Sequence, residues 1–268
     1  DTYLVGSHFI NFKSPRFVIT KVLRSSISDL ICKGVKPKFY FISGSGNKIS
    51  FSKKNLLEIS SSLQKEQKRF NINLCGGDTT FSNKLSFTIT SLGYSNNIIY
   101  RNKAKLNDDI YVTGNLGDSF IGLQILKKKI KLNKKETKFF INKYYQPELQ
   151  IKLCDYFLKF ANTSIDISDG LFDDLKKMIN RQNLSFKLYE KSLPISLNLK
   201  KLIIDKNFKK IDVVTNGDDY QVLFTANTNK ERIIKKISRN MGVKITKIGK
   251  IISGKNRCKV INLENKQI

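Results

Sequence analysis

From residue 16 to residue 33 the apolar positions Ile19, Val22, Leu23, Ile27, Leu30 and Ile31 recur at helical spacing. Gly34 and then Pro37 end that pattern, which predicts a helix with a glycine C-cap. A second helix is predicted over about 55–70 and a short strand over 72–75. Leu85, Phe87 and Ile89 alternate with Ser86, Thr88 and Thr90, the signature of a strand with one wetter face. After Arg101 the texture changes: a compact strand at 109–113, a glycine-bearing turn at 114–118 and a helix over 119–128 open what reads as a layered α/β unit. Helices over about 136–144 and 149–162 lead to the stretch 164–175. There Ile165 and Ile167 alternate with Asp166 and Ser168, and Gly170 opens a helix running to about residue 180. Short strands at 187–189 and 213–214, a strand at 221–225, a helix at 230–241 and a strand at 244–251 complete the pattern. Two domains are expected, residues 1–104 and 105–268.

Composition alters this picture in one respect. The apolar content is ordinary for a globular chain of 268 residues, but the formal net charge is +27. Such an excess suits nucleic acid or an anionic membrane face. Here it is mostly lysine spread along the chain, whereas a polynucleotide binder concentrates charge, interleaves aromatics and uses arginine for forked phosphate contacts, so no specific nucleic acid is expected. No apolar run reaches the length of a membrane span and no signal peptide is visible. Cys32, Cys75, Cys154 and Cys258 stand far apart and His8 is the single histidine, so a zinc site is not expected and a reduced, cytoplasmic setting is. The chain starts at Asp1 without a methionine, which predicts a fragment or processed product with motifs upstream.

Against this basic background the acids are unusually placed. Asp1, Asp29, Asp78, Asp118, Asp166, Asp169 and Asp218 fall at strand ends or beside glycine turns. Asp29 sits near a helix C-terminus, where an acid opposes the helix dipole and is a poor structural choice. In the 164–175 stretch two carboxylates and a hydroxyl stand at a helix mouth. Free N–H groups there attract anions and paired carboxylates attract a hard cation, which suits a metal–phosphate unit. The same stretch reads equally as a helix capped by Ser168 or Asp169, with the later carboxylates favouring its first turn. Gly76-Gly77-Asp78-Thr79-Thr80 is either a close approach of backbone to a ligand or a tight turn. Magnesium bridges carboxylates to phosphates, so convergence of these acids would suit phosphoryl transfer from a nucleotide.

The ordered set Asp1…Gly6-Ser7-His8-Phe9, Ser28-Asp29-Leu30, Gly76-Gly77-Asp78-Thr79-Thr80, Val112-Thr113-Gly114-Asn115-Leu116-Gly117-Asp118-Ser119, Ser164-Ile165-Asp166-Ile167-Ser168-Asp169-Gly170-Leu171 and Gly217-Asp218-Asp219-Tyr220 resembles the thiamine-monophosphate kinase family over nearly the whole chain. That resemblance implies a two-domain, aminoimidazole-ribonucleotide-synthetase-like fold of α+β and α/β type, with a dimer-forming β-sheet in the N-terminal domain and a layered α/β C-terminal domain. It implies ATP-dependent phosphorylation of thiamine monophosphate to thiamine diphosphate by direct in-line transfer, with several Mg2+ ions, in a homodimer. By position, Asp1, Asp29, Asp78, Asp166 and Asp169 are implied metal ligands; Gly77, Asp78, Arg101 and Ser168 ATP contacts; and His8 and Asp218 substrate contacts. No catalytic base is assigned, because a loose phosphoryl-transfer transition state asks mainly for positioning and charge neutralisation.

Four departures from the family pattern stand out. An upstream Gly-Asp-Asp-type metal motif is not in this sequence. Asp218 stands where the family has Glu, and Gln146-Pro147-Glu148-Leu149-Gln150 replaces an Arg-Pro-x-Pro-Arg-like stretch. A C-terminal aromatic that closes over the substrate is not identifiable before Ile268. The alternatives are a sister enzyme of the same fold, aminoimidazole ribonucleotide synthetase or selenophosphate synthetase, and a basic nucleic-acid-binding protein that has lost catalysis.

Overall fold

The structure, a computed structural model, describes residues 1–254 and the backbone of Cys258–Ile261. The sequence expectation about a closing aromatic near Ile268 lies outside the described residues. Five strands, β1 (Thr2–Leu4), β2 (Pro37–Gly46), β3 (Asn73–Gly76), β4 (Thr79–Phe81) and β5 (Ser86–Gly93), make the first sheet in the order β1-β5-β2-β3, with β4 alongside β2. β5 runs antiparallel to β1 and β2, while β3 and β4 run parallel to β2. Helices α1 (Pro15–Cys32) and α2 (Lys53–Phe70) cover its inner face, where Ile19, Leu23 and Ile27 pack in one core with Tyr40, Phe87 and Ile89. The outer face carries Phe41 and Leu92 exposed.

Six strands make the second sheet. They are β6 (Asp109–Thr113), β7 (Thr163–Asp166), β8 (Leu184–Tyr189), β9 (Val222–Ala226), β10 (Ile245–Ser253) and β11 (Cys258–Ile261), in the order β11-β8-β10-β6-β9-β7. Pairing is antiparallel except between β11 and β8. Both faces are covered, which is why β6 and β9 read as short, continuously apolar runs. Tyr111, Val222 and Phe224 face the core shared with α1, while Ile110, Val112 and Leu223 face a second core with Leu171 and Leu175. The helices of this half are α3 (Asp118–Leu126), α4 (Lys134–Tyr145), α5 (Cys154–Phe157), α6 (Leu171–Met178), α7 (Leu197–Lys206), α8 (Lys210–Val214) and α9 (Glu231–Met241).

Four local expectations differ. β2 escapes periodicity because Phe39, Tyr40, Phe41 and Ile42 put apolar side chains on both faces, which hides the period of two. Val213 and Val214 end helix α8 rather than forming a strand, since burial against neighbouring elements overrides β-branched propensity. The helix expected over 149–162 is a 3-10 turn, Ile151–Leu153, and the single turn of α5. α7 was not expected; the Ser196 side chain starts it by accepting the Leu199 N–H.

α1 lies between the two sheets, and its polar side chains are buried along with its apolar ones. Arg24 donates to both oxygens of Glu66 on α2, at 2.7 and 2.9 Å, and to the Pro147 carbonyl at 2.9 Å. Both partners of this ion pair are buried. Glu66→Ala leaves the guanidinium without its counter-ion and is expected to destabilise the fold by about 3–5 kcal/mol, read from urea unfolding.

Candidate active site

Four segments, with the end of α3 and Tyr144 of α4 beside them, enclose a cleft of about 440 Å³: the chain from Asp1 to Ile10, the middle and end of α1, the β7–α6 turn, and the loop before β9. Its lining includes Asp1, His8, Lys21, Asp29, Asp166, Ser168, Asp169, Asp218 and Tyr220. A chain of net charge +27 thus gathers five aspartates against Lys21 and Lys127 in one cleft. That polarity is the reverse of a polynucleotide-binding groove.

The β7–α6 turn is shaped by a residue that the sequence marks only as one of two acids favouring a helix's first turn. Asp174, in the first turn of α6, accepts the N–H groups of Ser168, Asp169 and Gly170 at 3.0, 2.9 and 3.0 Å. Neither Ser168 nor Asp169 is the cap, and these three N–H groups are not free for an anion. The acid four residues after Gly170 was the available signal, since a first-turn carboxylate can reach back to unpaired N–H groups. Gly170 is obligatory here: φ is +133°, and a Cβ would stand 2.0 Å from the Thr215 carbonyl oxygen. Lys177 donates to both Asp169 and Asp174.

The loop before β9 is laced to the same turn. Asp218 N–H donates to the Ser168 carbonyl at 2.9 Å and Tyr220 N–H to the Ile167 carbonyl at 2.8 Å, with φ of +68° and +51° at the two donors. The two acids of this loop diverge. Asp218 enters the cleft and accepts from Lys21 Nζ at 2.6 Å and from the Tyr220 hydroxyl at 3.2 Å. Lys21 was also unforeseen. It is fully buried over the Tyr144 ring at 3.5 Å, and burial lowers its pKa against the opposing pull of Asp218. Asp219 instead turns towards α3, where it accepts the Gly117 N–H at 2.7 Å; burial pushes its carboxyl up to about 8. Asp118 receives the Ser196 hydroxyl at 2.7 Å and is held away from the cleft.

Asp29 and Asp166 face each other, and neither forms a salt bridge among the described residues. Ser28 donates to Asp166 at 2.7 Å, yet burial, then the Asp29 charge, push the Asp166 carboxyl up to about 7. Burial also raises Asp29, against the nearby positive charges of Lys33 and Arg101. One oxygen of each carboxylate and the Cys32 Sγ lie within 4.8 Å of one another. Two like charges held together at the wall of a cleft suit a bound cation, and the oxygen donors suit a hard one. His8 accepts the Leu4 N–H at Nδ1, 3.0 Å, which leaves the neutral ring's proton on Nε2 as a donor.

Gly77, Asp78 and Arg101 do not line the cleft. Asp78 is exposed beside β4 and accepts its neighbour Thr79 N–H at 2.7 Å. Gly77 is required by the sheet itself, because a Cβ there would stand 1.8 Å from the Ile42 carbonyl oxygen. Arg101 is exposed, and its charge is felt at Asp29.

Residues 1–95 match the family described as AIR synthase related protein, N-terminal domain. The thiamine-monophosphate kinase of Buchnera aphidicola subsp. Schizaphis graminum is 33% identical over 279 residues, an alignment spanning 100% of this chain and 83% of the relative. The chain belongs to the thiamine-monophosphate kinase family. The Bacillus subtilis member is 30% identical, with 97% of this chain and 81% of that one aligned. Among solved structures, thiamine monophosphate kinase from Aquifex aeolicus superposes with a TM-score of 0.87 at 25% identity, covering 100% of this chain and 87% of that one. Escherichia coli HypE, a hydrogenase maturation protein, shares the fold with a TM-score of 0.76 at 12% identity, over 100% and 82% of the two chains.

The raised Asp166 carboxyl has a consequence for stability. The folded protein holds this proton more tightly than the unfolded chain, whose carboxyl stays near 3.8. In metal-free buffer its contribution therefore falls as pH rises from about 3.8 to about 7, by up to about 1.4 kcal/mol per pH unit. Urea unfolding of wild type and Asp166→Asn across that window is expected to show this slope in the difference between them; a flat difference would mean an ordinary carboxyl.

Proposed function

We propose that this chain catalyses ATP-dependent phosphorylation of thiamine monophosphate to thiamine diphosphate, with the cleft at the end of α1 as its active site. The observation that carries the reading is the meeting of Asp29, Asp166, Asp169, His8 and Asp218 from four separate segments in one cleft of a chain of this family. A solved structure of AaThiL complexed with AMPPCP and TMP, with a TM-score of 0.88 at 25% identity, supports the same substrate pair.

In this reading Asp29 and Asp166 hold Mg2+, with Asp1 and Asp169 completing the acidic wall and Ser168 beside the ATP. Bound magnesium supplies charge neutralisation for the transferring phosphoryl group. The residues of the chain position. His8 offers its Nε2–H to the substrate, and Asp218 is held in place by Lys21 and Tyr220. The acceptor is itself a phosphate, with a second pKa near 6, so it reaches neutral pH already largely ionised and needs no base to remove a proton. Gly77, Asp78 and Arg101, which do not line the cleft, are read as further ATP contacts, with Asp78 also a metal ligand.

The chain is read as two domains, 1–104 and 105–268, a division supported by the gap between the last strand of the first sheet and the first of the second. A second copy of the chain is read onto the outer face of the first sheet, where Phe41, Leu92 and Tyr94 are exposed. Cytoplasmic residence is supported by the free thiols of Cys32, Cys75 and Cys154. Among the described residues no helix is long and apolar enough to cross a membrane.

The decisive assay supplies ATP, Mg2+ and thiamine monophosphate and looks for thiamine diphosphate; no product from folded protein, with an active relative run in parallel, would sink the reading. Asp169→Asn is expected to lose orders of magnitude in turnover with the fold intact, because the Asp174 carboxylate, not Asp169, holds the turn. Magnesium binding has its own readout. Adding Mg2+ is expected to raise the melting temperature of wild type and to leave the Asp29→Asn, Asp166→Asn double variant unmoved.

A further inference from the structure

Cys32 is the unexpected member of the acidic cluster. It lies one helical turn beyond Asp29 on α1, so the two side chains share a face. β7 is fastened to that turn by three side-chain hydrogen bonds. Ser28 donates to Asp166 at 2.7 Å, the Ser164 hydroxyl to the Cys32 carbonyl at 2.5 Å, and Lys33 to the Ser164 carbonyl at 2.9 Å. The Sγ and the two carboxylate oxygens, within 4.8 Å of one another, are the one such grouping of three potential ligands found among the described residues. Asp29 and Asp166 line the cleft, so an ion reaches the carboxylates from it, while Cys32 is fully buried and does not line it.

We propose that Asp29, Cys32 and Asp166 form a mixed sulfur–carboxylate site that takes a thiophilic divalent cation, zinc or cadmium. Magnesium has no use for the sulfur, whereas these softer ions prefer it. Bonds of about 2.3 Å to sulfur and about 2.0–2.2 Å to oxygen draw such ligands to within about 4 Å of each other, so a small side-chain adjustment closes the site. At rest the Cys32 thiol donates to the Asp29 carbonyl at 3.2 Å. On binding, the S–H bond breaks, the proton leaves to solvent and the sulfur–ion bond forms, with no change of oxidation state. The ion then occupies carboxylates assigned to magnesium, so zinc inhibits phosphoryl transfer; that consequence rests on the reading of Asp29 and Asp166 as magnesium ligands, while the binding does not.

The test titrates the protein, with Cys75→Ser and Cys258→Ser introduced to remove competing thiols, with cadmium chloride. Thiolate-to-cadmium charge-transfer absorption and calorimetric stoichiometry are followed together. One cadmium per chain with a single-thiolate band is expected. Cys32→Ser is expected to lose the band and weaken binding by at least about 100-fold, the upper end of what losing a mere outer-shell partner costs. Cys154→Ser keeps the band. Circular dichroism checks the fold, and Cys32→Ala serves if the serine variant does not fold. Absence of the band in the parent, or its persistence without Cys32, overturns the proposal. A parent that shows the band while magnesium neither stabilises nor activates it upholds this site and overturns the magnesium reading instead.

Discussion

Two cations buried on one helix set the conditions for everything around them. Lys21 and Arg24 of α1 are almost wholly removed from water, and an unpaired buried charge costs several kcal/mol. Arg24 meets Glu66 on α2 and the Pro147 carbonyl after α4; Lys21 meets Asp218 before β9 and the Tyr144 ring on α4. Their partners come from both halves of the chain. The helix thus acts as a keyed shaft between two sheets, and the halves dock in the register that satisfies both charges.

The same docking distributes charge within the cleft. Asp218 is answered by Lys21 and Asp169 by Lys177, so those acids are compensated by the protein itself. Asp166 has a neutral hydroxyl donor and an acidic neighbour, and its proton affinity rises accordingly. A cation is drawn more strongly to the pair that has no salt bridge among the described residues than to acids that already have one. Position along the chain does not separate these two classes, because the lysines that make the difference lie far from, or on the opposite side of a turn from, the acids they meet.

Elements with a local period or a compact apolar run were legible: α1, α2, α9, β5 and β6 follow from spacing, glycine caps, alternation and short apolar stretches. The failures have physical causes. β2 is apolar on both faces, α8 ends in β-branched residues that burial holds helical, and the residues after α4 are tied down piecemeal rather than by one helical face. At the site, the acids beside glycines were visible as a series, and most of them meet in one cleft. The reach of Asp174 back to three N–H groups and the burial of Lys21 were not visible, since one resembles any acid of a first helical turn and the other one more lysine in a lysine-rich chain.

By itself, the sequence determined the elements whose periodicity is local, the basic balance of the chain, and the ordered acid-and-glycine turns that carry the family resemblance. Only the tertiary structure decided which acids have partners, that Asp218 and Asp219 point to opposite sides of their loop, and that one of four widely spaced cysteines stands beside two carboxylates. The reason is range. Hydrogen-bonded periodicity is written within a few residues, whereas burial and charge pairing are settled by segments more than a hundred residues apart, as Ser28 with Asp166 and Lys21 with Asp218 are.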